Sequence, residues 1–83
     1  MAYTYILKTA VGDYYVGSTD DLDERLAAHQ AGKVKSTKSK LPLQLVFEEY
    51  YNTKAGAQKK EYKIKRWKSK KMIERIIEYG PIV

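Results

Sequence analysis

At 83 residues the chain has room for one domain with a modest core and none for a second. A hydrophobic fraction of 43% with 31% charged residues argues against intrinsic disorder, and the lack of cysteine rules out both a disulfide framework and a thiolate metal site. No apolar run approaches the ~20 residues that span a bilayer, and the start shows no export pattern, so a cytoplasmic location and no membrane partner are expected.

Sixteen Lys and Arg against ten Asp and Glu give a formal charge of +6, which favours polyanionic partners, nucleic acid first. The charge is uneven. Five of the ten acids lie between Asp13 and Glu24, whereas Glu61 is the only acid between Glu49 and Glu74, among nine Lys and Arg from Lys54 to Lys71.

In chain order, Tyr3 to Lys8 and Tyr14 to Ser18 are rich in aromatic and branched residues and read as the arms of a hairpin, with Gly12 able to take positive φ in the turn. Thr19 or Asp20 offers an N-cap for a helix over Asp21 to Ala31, and Gly32 offers its stop. Lys33 to Pro42 is polar, basic and without periodicity, a loop suited to approach phosphates. Gln44 to Tyr51 reads as a third strand. Asn52 or Thr53 then caps a helix to about Lys68, and Ser69 caps a last helix that ends at Gly80-Pro81. The order is β-β-α-β-α-α, the class α+β, and the expected organisation one domain over 1–83, with a motif core at about 3–68 and a C-terminal helix at about 69–80.

Several residues bear chemistry. On the first helix Leu22, Arg25, Leu26 and His29 fall at i, i+3, i+4 and i+7, so a guanidinium and an imidazole share the face of the leucines. Arg25 either snorkels from the edge of that face or clamps a phosphate through its paired donors. Ala57, Glu61 and Ile64 follow at i, i+4 and i+7, which turns the lone acid of the basic half toward the apolar side. There it either forms a solvated ion pair with Lys65 or holds Mg²⁺, an ion that commonly takes one or two protein carboxylates and keeps several waters. Tyr5 and Tyr15 share a face of the hairpin if its loop has three or five residues, and oppose each other across a two-residue turn. Gly17 inside a strand marks a close approach of backbone or ligand. His29, the only histidine, cannot build a multi-histidine metal site, and packing is its alternative role.

Taken together, Tyr3-Thr-Tyr5, Tyr15-Val-Gly17-Ser-Thr, Leu22-Asp-Glu-Arg25-Leu with His29, Gly32-Lys33 and the late Glu61 resemble the GIY-YIG nuclease family over about residues 3 to 68. The resemblance is closest to small stand-alone members related to the incision domain of bacterial excision-repair nucleases. The first motif lacks its glycine, and Val16 stands for isoleucine. The resemblance implies a three-stranded antiparallel sheet flanked by three helices. Tyr5 and Tyr15 would bind or activate the attacking water, Arg25 would neutralise the phosphate, His29 would assist near it, and Glu61 would hold one divalent ion, Mg²⁺ or Mn²⁺. Lys33, Lys35, Lys38, Lys40 and Lys65 are the expected DNA contacts.

The leading expectation is therefore a metal-dependent DNA endonuclease that selects structure rather than sequence, in repair or recombination, with no obligate protein partner. A non-catalytic module binding DNA or RNA is the first alternative. The second is a protein-docking domain with Tyr62, Ile64 and Trp67 at its contact, against which stands the expectation that these three pack the core.

Overall fold

The computed structural model describes residues 1–67 and 69–79. The elements are β1 (Ala2–Lys8), β2 (Tyr14–Thr19), α1 (Leu22–Gln30), β3 (Gln44–Tyr51), α2 (Lys54–Trp67) and α3 (Lys70–Tyr79). They follow the β-β-α-β-α-α order and form one antiparallel sheet with β1 in the centre, β2 on one edge and β3 on the other. The expected ends of the last two helices, at Lys68 and at Gly80-Pro81, lie outside the described residues.

Lys8 pairs with Tyr14, so five residues close the hairpin. Thr9 N–H donates to the Asp13 carbonyl (2.9 Å), and Gly12 takes φ +89°, a conformation that disfavours a side chain. Register then fixes the faces: Tyr5 lies opposite Gly17 and Leu7 opposite Tyr15, which puts both tyrosines on one side of the sheet.

That side carries the buried residues Tyr5, Leu7, Leu22 and Leu43, with Tyr3, Tyr15, Leu26 and Leu45 packed around them, so α1 is its cover. The other side buries Ile6, Val16 and Phe47 under Ile64 of α2 and Ile76 of α3, with Trp67 and Ile73 alongside. Burying each such side chain stabilises the fold by roughly 1.5 to 3 kcal/mol before entropy is counted.

The cap of α1 differs from expectation by a residue or two, whereas those of α2 and α3 are among the residues expected. Asp21, not Thr19 or Asp20, caps α1 by accepting from Glu24 N–H at 3.0 Å, because the Thr19 hydroxyl is engaged with the backbone of Asp21 instead. Thr53 rather than Asn52 accepts from the first turn of α2, at Gly56 N–H (3.1 Å), and Ser69 accepts from Met72 N–H in α3 (3.3 Å). Thr4 of β1 donates to the Ala57 carbonyl (2.8 Å), which pins the start of α2 to the central strand. One turn further along, Glu61 arrives over the edge strand β2.

Candidate active site

The site is built around Gly17 on β2. Strand alternation turns Tyr15 to the α1 side and Ser18 to the α2 side, and the missing side chain at Gly17 lets the Tyr5 ring lie across the strand. A Cβ there would stand 2.6 Å from Tyr5 Oη and 2.7 Å from its Cζ. The Tyr5 and Tyr15 rings meet with centroids 6.3 Å apart, and each also meets His29 edge-on, at 5.7 and 5.0 Å.

A hydrogen-bonded chain runs through this cluster. Arg25 Nε–H donates to Tyr5 Oη (3.4 Å), Tyr5 Oη lies 3.0 Å from His29 Nε2, and His29 Nδ1 lies 2.9 Å from Thr37 Oγ1. Counting donors assigns the protons. Tyr5 Oη already accepts from Arg25, so its own proton goes to His29 Nε2, the imidazole carries its hydrogen on Nδ1, and Thr37 passes its hydroxyl proton to the Val34 carbonyl.

Tyr5, His29 and Thr37 are each at most 1% exposed. Burial, first of all, raises the Tyr5 pKa against the lowering effect of its bond from Arg25, with Tyr15 and Glu61 adding smaller upward pushes. Tyr5 is thus a neutral phenol. Burial also lowers the His29 pKa, helped by the Arg25 charge. Arg25 is raised, chiefly by its bond to Tyr5, and Tyr15 contributes to the same effect.

The structure places His29, expected near the phosphate, behind Tyr5, fully buried and with both ring nitrogens engaged. Tyr5 is enclosed too, which leaves half-buried Tyr15 as the motif tyrosine with access to solvent. Arg25 is half-buried on the same side, and among the described residues no carboxylate pairs with it.

His29 also sets a pH dependence. The unfolded chain takes up a proton at the ordinary histidine pKa of 6.5, whereas folded His29 titrates lower. The unfolded state therefore binds more protons as pH falls, and stability, full above that value, declines through the folded pKa. Urea midpoints are expected to drop between about pH 7 and about pH 5 and to flatten in His29→Gln. A midpoint in the native chain that is constant over that range would contradict the burial of a neutral imidazole.

On the α2 side, Ser18 Oγ–H donates to Glu61 Oε1 (2.5 Å) and Lys65 Nζ donates to Oε2 (2.6 Å). The Glu61 side chain is 18% exposed and that of Lys65 is 49% exposed. The ion pair with Lys65, one of the two readings of Glu61 above, is therefore present, and the carboxylate is also held at β2 by Ser18, a contact the sequence did not flag. Tyr15, Lys40 and Lys65 line one cleft of about 420 Å³ along the β2 edge, with Lys70 of α3 across it.

The basic loop is more structured than its composition suggests. It forms a 3-10 turn at Lys38–Lys40 and buries Thr37, and the Gln30 side chain donates to the Leu43 carbonyl at 2.7 Å. Lys40 is paired with Asp13 (3.0 Å). Lys33, Lys35 and Lys38 are exposed but are not among the residues lining the β2-edge cleft, so the structure does not gather all the expected phosphate contacts in one place.

Comparison with known proteins agrees with this architecture. Residues 1–74 match the model of the GIY-YIG catalytic domain, and the chain belongs to that family, a nuclease family by its domain. Its relatives are small proteins of similar length named UPF0213. One from Bacillus pumilus is 43% identical over 70 residues, covering 83% of this chain and 71% of that protein. Another, from Photorhabdus laumondii, is 40% identical over 79 residues, covering 94% and 75%. The solution structure of a UPF0213 protein from Bacillus halodurans superposes with a TM-score of 0.64 at 33% identity, over 96% of this chain and 86% of that one. Among the described residues no helix is long and apolar enough to cross a membrane.

Proposed function

We propose that the chain is a metal-dependent endonuclease that hydrolyses phosphodiester bonds in DNA, selecting structure rather than sequence, in repair or recombination. The observation that carries this reading is the convergence at Gly17 of Tyr15 and Arg25 from one side of the sheet and Glu61 from the other. That arrangement sets a hydroxyl, a fixed cation and a carboxylate around one strand edge.

The chemistry of the donor set suits one ion. Among the described residues no three His, Cys, Asp or Glu side chains group to hold a metal, so a caged or two-metal centre has no support. A single Mg²⁺ or Mn²⁺ that keeps several waters needs little more than one carboxylate, and Glu61 provides it. Lys65 on Oε2 is exposed, and an exposed i, i+4 pair is worth only ~0.3 to 0.5 kcal/mol, so it yields readily. Ser18 would keep the other oxygen aimed. When bound, such an ion stabilises charge on the phosphate and on the leaving oxygen.

The remaining work falls to the side chains. Arg25, anchored through Nε on Tyr5, turns its other donors to the phosphate oxygens, and its always-charged guanidinium offsets the negative charge that builds up there. Tyr15 Oη would orient the attacking water and, as the phenolate, accept its proton as the P–O bond to the leaving sugar oxygen breaks. Tyr5, His29 and Thr37 hold Arg25 in place.

Tyr15→Phe removes one oxygen from a half-buried ring and is expected to cut single-turnover cleavage by about 100-fold or more, the scale of a lost proton acceptor, while leaving DNA affinity within about twofold. Undiminished cleavage by this variant would remove Tyr15 from the chemistry. The Lys65–Glu61 pair favours one second reading, a binding module whose lone carboxylate stays neutralised by lysine; that module would bind DNA or RNA and cleave neither under any metal.

A further inference from the structure

The outer face of α2 carries a feature that neither packing nor the site above uses. Ile64 is fully buried and Trp67 packs partly against the core, but Tyr62 is 67% exposed, which corrects the expectation that all three pack inside. Lys59, Tyr62, Lys63 and Arg66 follow at i, i+3, i+4 and i+7, one stripe on the helix, and with the edge of Trp67 they line a shallow hollow of about 480 Å³. None of these three cations takes part in an ion pair among the described residues, and α2 has no acid except Glu61. Three like charges along one stripe repel each other and weaken an isolated helix, so the arrangement is complementary to a polyanion.

The aromatic ring decides which polyanion. A duplex presents phosphates outward and keeps its bases stacked inside, where Tyr62 could not reach a base face. An unpaired strand offers both, and stacking on an aromatic side chain is sequence-tolerant because every base has a π-face. We propose that this face of α2 is a stacking surface for an unpaired DNA strand, with Tyr62 against a base and Lys59, Lys63 and Arg66 on the flanking phosphates.

Tyr62 directly follows Glu61 in the chain and sits about 100° further round the helix. A strand leaving the Glu61 edge therefore passes onto this stripe. The substrate class that follows is DNA with a single-stranded segment beside the cleaved bond, such as a flap, gap or fork. This deepens the nuclease reading: the stacking surface rests on its nucleic-acid part, and the substrate class rests also on cleavage at the Glu61 edge.

The test is fluorescence anisotropy in EDTA, so that cleavage plays no part, with oligo-dT, oligo-rU and a duplex of equal length. Tyr62 is exposed and its replacement leaves the core intact. Tyr62→Ala is expected to weaken oligo-dT binding by about tenfold, Tyr62→Phe to bind as the native chain does, and duplex affinity to be unchanged by either. Lys63→Ala should weaken both ligands and reduce the salt slope by about one. Equal losses on duplex and oligo-dT for Tyr62→Ala, or no loss, would overturn the stacking assignment. Tighter binding of oligo-rU than of oligo-dT would overturn the assignment to DNA. Failure of cleavage with these binding results intact would strike the nuclease reading and leave the stacking surface standing.

Discussion

Glu61→Gln is expected to abolish metal-dependent cleavage, with a loss of roughly 10³-fold or more, on the scale of several kcal/mol of charge stabilisation at the transition state. The amide keeps the size of the side chain and can still accept from Ser18, so the hold of α2 on β2 is preserved. What disappears is the negative charge that would bind a divalent ion. Removing an acid from a basic surface and releasing Lys65 should leave DNA affinity equal or slightly higher, especially at low salt. The measurement is single-turnover cleavage beside binding in EDTA. Cleavage within tenfold of the native chain would show that Glu61 does not hold the metal.

Gly17→Ala is the second large effect, and its cause is contact rather than backbone freedom. The added methyl would meet Tyr5 Oη at 2.6 Å, Tyr5 Cζ at 2.7 Å and Tyr15 Cε1 at 3.1 Å. Tyr5 has nowhere to go, because it is fully buried and tied to His29 and Arg25. Overpacking of this kind costs about 1 to 3 kcal/mol, and displacing Tyr5 also breaks the chain of hydrogen bonds that holds Arg25. Both the urea midpoint and the cleavage rate should fall, the rate by more than the fraction unfolded explains. A variant with native stability and native rate would mean that the tyrosine ring does not need the space above Gly17.

The sheet was legible because its determinants are local. Gly12 marks the hairpin turn, and Gln44–Tyr51 reads as a strand from its run of branched and aromatic residues; the shared face of Tyr5 and Tyr15 depended on the length of the loop, which the structure fixes at five residues. The helical spacing of Ala57, Glu61 and Ile64 placed the carboxylate at the border of the core, where it lies half-buried. Spacing could not tell which groups a buried side chain would find. Nothing in a lysine-rich loop marks Thr37 as the residue that folds inward onto His29, since that contact depends on how the loop crosses the end of α1.

Ser18 was hidden for a similar reason. Alternation puts it on the opposite face from Tyr15 and Gly17, but only the packing of α2 brings Glu61 to it. Tyr62 is different, because its signal was present. Residues two apart on a helix do not face the same way, so a core role for Ile64 already argued against one for Tyr62.

The proposed cleavage of DNA at the convergence around Gly17 needs the help of one divalent ion. It is tested most directly by incubating the native chain with supercoiled, single-stranded and branched DNA in Mg²⁺, in Mn²⁺ and in EDTA, and resolving the products. Cleavage is expected in either metal, strongest on substrates with an unpaired segment, and none is expected in EDTA. Binding without cleavage on every substrate in both metals, or cleavage that persists undiminished in EDTA, would contradict it.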